Sequence, residues 1–301
     1  MTKSKKLPLI IVADPGVDDE VAIFYIYASQ KVDIKLIAVT GGNVGMAQTT
    51  HNTLGLLQML GANNVPVAKC LSALDYEGAV GAHGKSGVGD YAFENVTLTA
   101  LSEDAVEVMH KIVAASETEV TLLVLSPVGE VAEYYKKYPE DKAKTKVVFS
   151  GGIIPNVRGE EEKRTSFNIY YDGEAMKELL AQNINLTVCP SNWGHDCYFD
   201  YEDIYNIKQT GEVGEMFEKM FRSYHDNVVK NGVATHDLCA AEFVTHPNFF
   251  KVSPAQTIAA QQNGKTILDF NFSAEPNSMV VTDAKNKKIK KEFFKVLKKF
   301  R

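Results

Sequence analysis

The chain has 301 residues, 45% hydrophobic and 23% charged, an ordinary globular composition with length enough for one large α/β core. Its net charge of −6 speaks against a nucleic-acid partner, because phosphate backbones are bound by basic surfaces. No apolar run approaches the ~20 residues of a membrane-spanning helix, and the four cysteines (Cys70, Cys189, Cys197 and Cys239) are scattered, which reads as reduced thiols in a cytoplasmic protein.

The first segment, MTKSKKLPLIIVAD, is basic and then apolar, but the apolar run stops at Asp14, too early for a secretory signal. Residues 7–13 read instead as a strand, followed by a helix over 17–30, a strand over 34–40 and a helix over 46–62. Further strands are expected at 65–70, 120–126, 146–152 and 184–189, with helices at 103–116 and 173–182. The strand segments are continuously apolar and rich in Val and Ile, the pattern of strands buried on both faces. Alternation of such strands with helices predicts an α/β fold: a mostly parallel open sheet, Rossmann-like in its core, flanked by helices. In such sheets ligands bind beyond the carboxyl ends of the strands. That rim would carry Asp14, Gly41-Gly42-Asn43, Ser126 and Gly151-Gly152.

The second half is more helical, with helices at about 201–208, 212–230 and 234–245. Residues 257–272 then read as a β-hairpin turning at Asn263-Gly264. A last helix, about 286–300, carries an apolar stripe of Ile289, Phe293, Phe294, Leu297 and Phe300 opposite its lysines, as in a core-packed helix with a solvated face. No repeat or low-complexity linker interrupts the chain, so residues 1–301 are read as one domain.

The stretch Asp14-Pro15-Gly16-Val17-Asp18-Asp19-Glu20 puts four carboxylates in seven positions. First-turn acids complement a helix dipole, and Pro15-Gly16 makes a tight strand-to-helix turn. Asp14, at the strand end, is not covered by that reading. A hard divalent cation, which takes six to eight oxygen ligands, would account for the whole set. Spacing alone leaves both readings open.

DPGVDDEVAI resembles the N-terminal signature of the inosine-uridine preferring nucleoside hydrolases, D-x-D-P-G-x-D-D-A. Further segments follow in family order: GGNVGMAQTTHNTLGLLQMLG, AHGKSGVGD, LSPVGEVAEYYKKYPE, VVFSGG with TSFNIYYDGEA, and ATHDLCAAEFVTHPNFF. The resemblance implies Ca²⁺-dependent hydrolysis of the N-glycosidic bond of ribonucleosides, giving free base and ribose. It implies Asp14 as calcium ligand and as the base that activates water, Asp19 and Asp237 as further ligands, and the backbone carbonyl of Gly129 as another. Asp18, Asn43 and Asn168 would hold the sugar, with Phe167 and Ser166 beside them in the same motif. His236 would protonate the leaving base. Of the three His-Asp pairs, only His236-Asp237 has the family's downstream context; His195 reads as structural. Tyr224 or His225, on the preceding helix, reads either as stacking on the base or donating a proton to it, or as simple helix packing or a solvated face. His83, in a Gly-rich loop, reads equally as lining the site or as a loop residue, and Trp193 reads as core. Salvage of purines or pyrimidines in the cytoplasm and a dimeric or tetrameric assembly are further implications, with no membrane partner.

The chain departs from the family pattern at four positions. Val12 replaces the first Asp of the signature, Gly129 replaces a Thr, Ser166 replaces a Glu, and Glu160 stands in a charged loop where a Gly-Asn pair is usual. The alternative reading is therefore a divergent member, non-catalytic or of altered specificity, that binds metal and a ribosyl ligand. An unrelated Mg²⁺-dependent phosphohydrolase is disfavoured, because its nucleophilic Asp motif is missing.

Overall fold

A computed structural model of the protein describes residues 6–71, 78, 80–155, 157, 165–195, 197–224 and 231–300. In chain order the first half comprises β1 (Leu7–Ala13), α1 (Val17–Ser29), β2 (Val32–Val39), α2 (Met46–Met59), β3 (Val67–Lys69), the short α3 (Val80–His83) and α4 (Ala105–Ala115). Then come β4 (Val120–Val124), α5 (Gly129–Lys137), β5 (Thr145–Ser150), α6 (Phe167–Tyr171), α7 (Gly173–Leu180) and β6 (Leu186–Cys189). The remainder is β7 (Phe199–Asp200), α8 (Tyr201–Lys208), α9 (Glu212–Arg222), β8 (Gly232–Val233), α10 (His236–Thr245), β9 (Phe250–Gln262), β10 (Lys265–Asn271), β11 (Ser278–Ala284) and α11 (Asn286–Leu297).

Nine strands form one sheet in the order β10-β9-β11-β6-β5-β4-β1-β2-β3. Six of them, β3-β2-β1-β4-β5-β6, are parallel and have the doubly wound order, with its crossover point between β1 and β4. The expected α/β class and the predominantly parallel sheet are therefore present. The C-terminal strands extend the sheet: β11 runs parallel to β6, and β9 runs antiparallel to both β11 and β10.

Period-two alternation along β1 divides the core between the two sheet faces. Leu9, Ile11 and Ala13 pack with residues of α1, α9, α10 and α11, while Ile10 and Val12 pack with residues of α4, α5 and α7. Helix α1 is buried on nearly every side, from Val17 to Ile26. That burial includes Glu20, which the sequence reads as an ordinary first-turn acid.

Three expectations change at the level of elements. The hairpin forms about its Asn263-Gly264 turn, but β9 begins at Phe250, because its first half pairs with β11. Strand β11 itself was not evident from the sequence pattern. Helix α9 ends at Arg222, where Ser223 leaves helical geometry at φ −114°, so Tyr224 follows the helix rather than lying on it. His225, Asp196 and Glu160, with the rest of the 158–164 loop, lie outside the described residues.

Candidate active site

The site is built where two kinds of backbone terminus meet, strand carboxyl ends and helix amino ends. Strand β1 delivers Asp14 at its carboxyl end, β2 delivers Gly41-Gly42-Asn43, and the first turns of α1 and α10 bring Asp18-Asp19 and His236-Asp237. Helix N-termini carry partial positive charge and suit acidic side chains. This local chemistry holds the acids in place, but it does not neutralise four of them.

Asn43 is the joint between these elements. Its backbone amide donates to Asp14 Oδ2 at 2.8 Å. Its side-chain Nδ2 donates to the Asp14 carbonyl and to Asp19 Oδ2, both at 3.0 Å. Asp19 Oδ2 also accepts from the Gly16 amide at 3.1 Å. One oxygen of each carboxylate is thus fixed by N–H donors. The other oxygen, Oδ1 of both Asp14 and Asp19, is buried and has no hydrogen-bond partner among the described residues. The packing is close enough to need glycine. A Cβ on Gly42 would collide with the Asp14 carboxylate, and one on Gly16 would come within 2.5 Å of His83 Nδ1 and 2.6 Å of Asn43 Nδ2.

Asp18, Asp19 and Asp237, all buried, each offer a carboxylate oxygen within 4.8 Å of the others. Asp14 lies within their electrostatic reach. Burial pushes its carboxyl well above the usual range, and the charges of Asp237 and Asp18 add to the effect. Burial likewise raises Asp19, with help from Asp14 and Asp18. Asp237 is raised by burial and then by Asp18 and Asp19, against a hydrogen bond from Ser150 and the nearby His236. Such a group of like charges resists ionising together unless a cation joins it. The donors are all hard oxygens and two of them are orphaned, so the residues present fit a divalent metal. The sequence puts Asp18 on the sugar and Asp14 on the metal; the geometry groups Asp18 with Asp19 and Asp237 and sets Asp14 alongside.

The other expected residues are distributed around this centre. Gly129 opens α5 beyond β4, where its amide donates to the Asp172 carboxylate, and a Cβ would strike that carboxylate. Its described contacts are with Asp172, not with the acidic cluster. Asn168, on α6, donates Nδ2 to the carbonyls of Leu125 at 2.7 Å and Ser150 at 3.1 Å, tying α6 to the ends of β4 and β5. Ser166 caps the same helix, and its Oγ accepts from the Gly152 amide at 2.8 Å. Phe167 packs on Tyr171 with ring centroids 4.4 Å apart. Val12 lies wholly within the apolar cluster of Leu36, Ala38, Leu122 and Val124, so no carboxylate supports the site from that position.

His83 is buried and accepts the Val17 amide at Nδ1, 3.0 Å away. It thereby ties the Gly-rich loop to the start of α1, and its ring meets that of Tyr224 with centroids 5.0 Å apart. Trp193 is buried and donates Nε1 to the Val281 carbonyl at 2.9 Å. His236 opens α10, with Nδ1 3.1 Å from the Ser191 carbonyl and His195 edge-on to its ring at 5.1 Å. The nearness of His195 to His236 is not visible in the sequence, where 41 positions separate them. Asn43's bonds to two aspartates and the Ser150 bond to Asp237 are equally hidden. The only sequence signal was the Gly-Gly pair preceding Asn43.

The chain matches the inosine-uridine preferring nucleoside hydrolase family over residues 9–291. It is 26% identical over 288 residues to the non-specific ribonucleoside hydrolase RihC of Klebsiella pneumoniae, covering 92% of this chain and 94% of that protein. The Escherichia coli RihC gives the same identity and coverage. Among solved structures, a plant nucleoside hydrolase, PpNRh1, superposes with a TM-score of 0.86 at 20% identity, covering 97% of this chain and 99% of that one. The purine-preferring ribonucleoside hydrolase from Gardnerella vaginalis also gives 0.86, at 21% identity, covering 97% and 98%. The fold is that of the nucleoside hydrolases, glycosidases acting on N-glycosyl bonds. The chain belongs to the inosine-uridine preferring nucleoside hydrolase family.

Proposed function

We propose that the protein hydrolyses the N-glycosidic bond of ribonucleosides with a Ca²⁺ ion held by Asp14, Asp19 and Asp237, with the Gly129 carbonyl completing the set and Asp18 turned to the sugar. The observation that carries this reading is the pair of buried, unpartnered Oδ1 atoms on Asp14 and Asp19, each fixed through its Oδ2. When bound, the ion would orient ribose hydroxyls and make water more acidic. Asp14 accepts a proton from the attacking water. The water oxygen bonds to C1′ as the C1′–N bond breaks through an oxocarbenium-like state. The bonding pair leaves with the base, which takes a proton from His236. Asn168 spends both amide hydrogens on backbone carbonyls, so it meets the sugar through Oδ1, as an acceptor. Tyr224, whose ring meets that of His83, would lie on the base side, and Phe167 would line the sugar end.

The buried free thiols of all four cysteines suit a cytoplasmic setting, where the released base and ribose enter salvage. A sheet that runs from Leu7 to Ala284 supports a single domain, working in a dimer or tetramer. No described helix is long and apolar enough to cross a membrane.

A reducing-sugar assay on inosine and uridine, before and after chelation and with Ca²⁺ restored, tests the reading. Activity that survives exhaustive chelation overturns the metal assignment. A second reading, altered sugar specificity, is favoured by Ser166, whose hydroxyl is committed to Gly152 and reaches less far than a glutamate. It predicts poor turnover of inosine and uridine relative to 5′-modified nucleosides, and ordinary turnover of either would exclude it. Calorimetric binding of ribose without any sugar release would identify a non-catalytic member.

A further inference from the structure

We infer that the turn Ser191–His195, and His195 in particular, is a positioning element that sets the ring of His236 for leaving-group protonation. This rests on the proposed role of His236. Three observations converge on that ring. The Ser191 carbonyl lies 3.1 Å from His236 Nδ1. A carbonyl oxygen can only accept, so Nδ1 carries a hydrogen and any proton exchange with a ligand falls to Nε2. His195 meets the ring at a centroid distance of 5.1 Å and an interplanar angle of 69°, an edge-to-face contact that opposes rotation of His236 about its Cβ–Cγ bond. Gly194, between the two, has no room for a side chain: a Cβ there would collide with His236 Nδ1 and sit 2.7 Å from its Cα.

The turn has its own anchors. Trp193, next to Gly194, donates Nε1 to the Val281 carbonyl, and the Cys197 amide donates to the Trp193 and Gly194 carbonyls, both at 3.2 Å. The clamp is therefore built from the segment after β6 and held by β11. Gly194 has ordinary right-handed helical angles, φ −61° and ψ −37°, so alanine there is unstrained in its own backbone. Its effect reports the contact with His236.

The test compares an ordinary nucleoside with a nitrophenyl riboside, whose leaving group departs as an anion and needs no proton. The expected result is that His195→Ala and Gly194→Ala each lower kcat on inosine at least tenfold more than on the nitrophenyl riboside, with KM little changed. His195→Phe, which keeps the edge-to-face contact, should recover most of the loss. His236→Ala is the reference for both ideas. If it lowers the two substrates equally, the acid role of His236 fails and the inference falls with it. If His236→Ala discriminates between the substrates but His195→Ala and Gly194→Ala do not, the acid role stands and the positioning role is overturned. Calcium titration of each variant reads the state of the neighbouring Asp237, and a loss of ion binding that accounts for the activity change also overturns the inference.

Discussion

Among the described residues, two clusters contain the kinds of side chain that bind metals. One is Asp18, Asp19 and Asp237 at the carboxyl ends of the strands; the other is His110, Glu140 and Asp141, beside the amino end of β5. In both, potential ligand atoms lie within 4.8 Å of one another. They differ in what their atoms already do. Asp141 Oδ2 accepts from the Tyr134 hydroxyl at 2.7 Å and pairs with His110 Nδ1 at 2.8 Å, while the His110 ring stacks on Tyr138 at 3.8 Å. That cluster holds itself together. At the acidic rim, by contrast, Asp14 and Asp19 each keep an oxygen that is buried and unpaired, and the nearest charges are of the same sign. Proximity of ligand-type residues is common to both places; unmet electrostatic demand belongs to one.

The largest expected effect tests that distinction directly. Asp14→Ala or Asp19→Ala should reduce ribose release by a factor on the order of 10³ or more and abolish calorimetric Ca²⁺ binding. Asp141→Ala should leave both unchanged. It should cost about 1–3 kcal/mol of stability in a denaturant titration, because the buried Tyr134 hydroxyl loses its acceptor. A loss of activity in the Asp141 variant would erase the contrast. A smaller effect is expected at Gly42. Alanine there displaces the Asp14 carboxylate, and misplacement by about 1 Å is worth roughly 10²-fold in rate. An unaltered melting temperature beside the lost activity would locate the damage at the site.

The smallest effect concerns buried acids with no proposed task. Glu242, on α10, has no partner for either oxygen among the described residues, and burial pushes its carboxyl up to about 10. Glu20 is raised to about 8 for the same reason. An acid raised on folding is held neutral in the native state while the unfolded chain ionises above its ordinary value of 4.5. Stability is therefore full below that value and declines as pH rises toward about 10 for Glu242. Glu242→Gln should flatten the decline, raising the melting temperature more at pH 9 than at pH 5. A uniform shift at both values would show that ionisation is not the cause.

What could be read from the sequence follows from what local pattern can encode. The parallel strands announced themselves because each is apolar on both faces, and the acid-rich mouth after β1 because like charges seldom cluster without cause. Strand β11 did not, because SMVVTDA mixes polar with apolar positions and its burial depends on its partners β6 and β9. Glu20 is the first-turn acid that was expected, yet its burial stayed hidden for the opposite reason. Its position in a first turn is locally sensible, and only the packing around α1 shows that it never meets water. The roles of Asn43, Ser150 and the Ser191–His195 turn rest on bonds between residues far apart in sequence. A signature can name such a residue but not its partners.

The hydrogens of Asn43 and Asn168 have a consequence for what the cleft can recognise. Both side-chain amides direct their N–H groups into the protein. In the proposed site, with the aspartates ionised around a cation, the wall would be a surface of lone pairs. A polyol answers it, since every hydroxyl brings a proton to share; a deoxy sugar leaves a lone pair stranded, and a phosphorylated sugar brings more negative charge to a wall that already has too much. On the proposed function, selection for an intact, unphosphorylated sugar would follow from the direction of a few amide bonds, before any contact with the base is made.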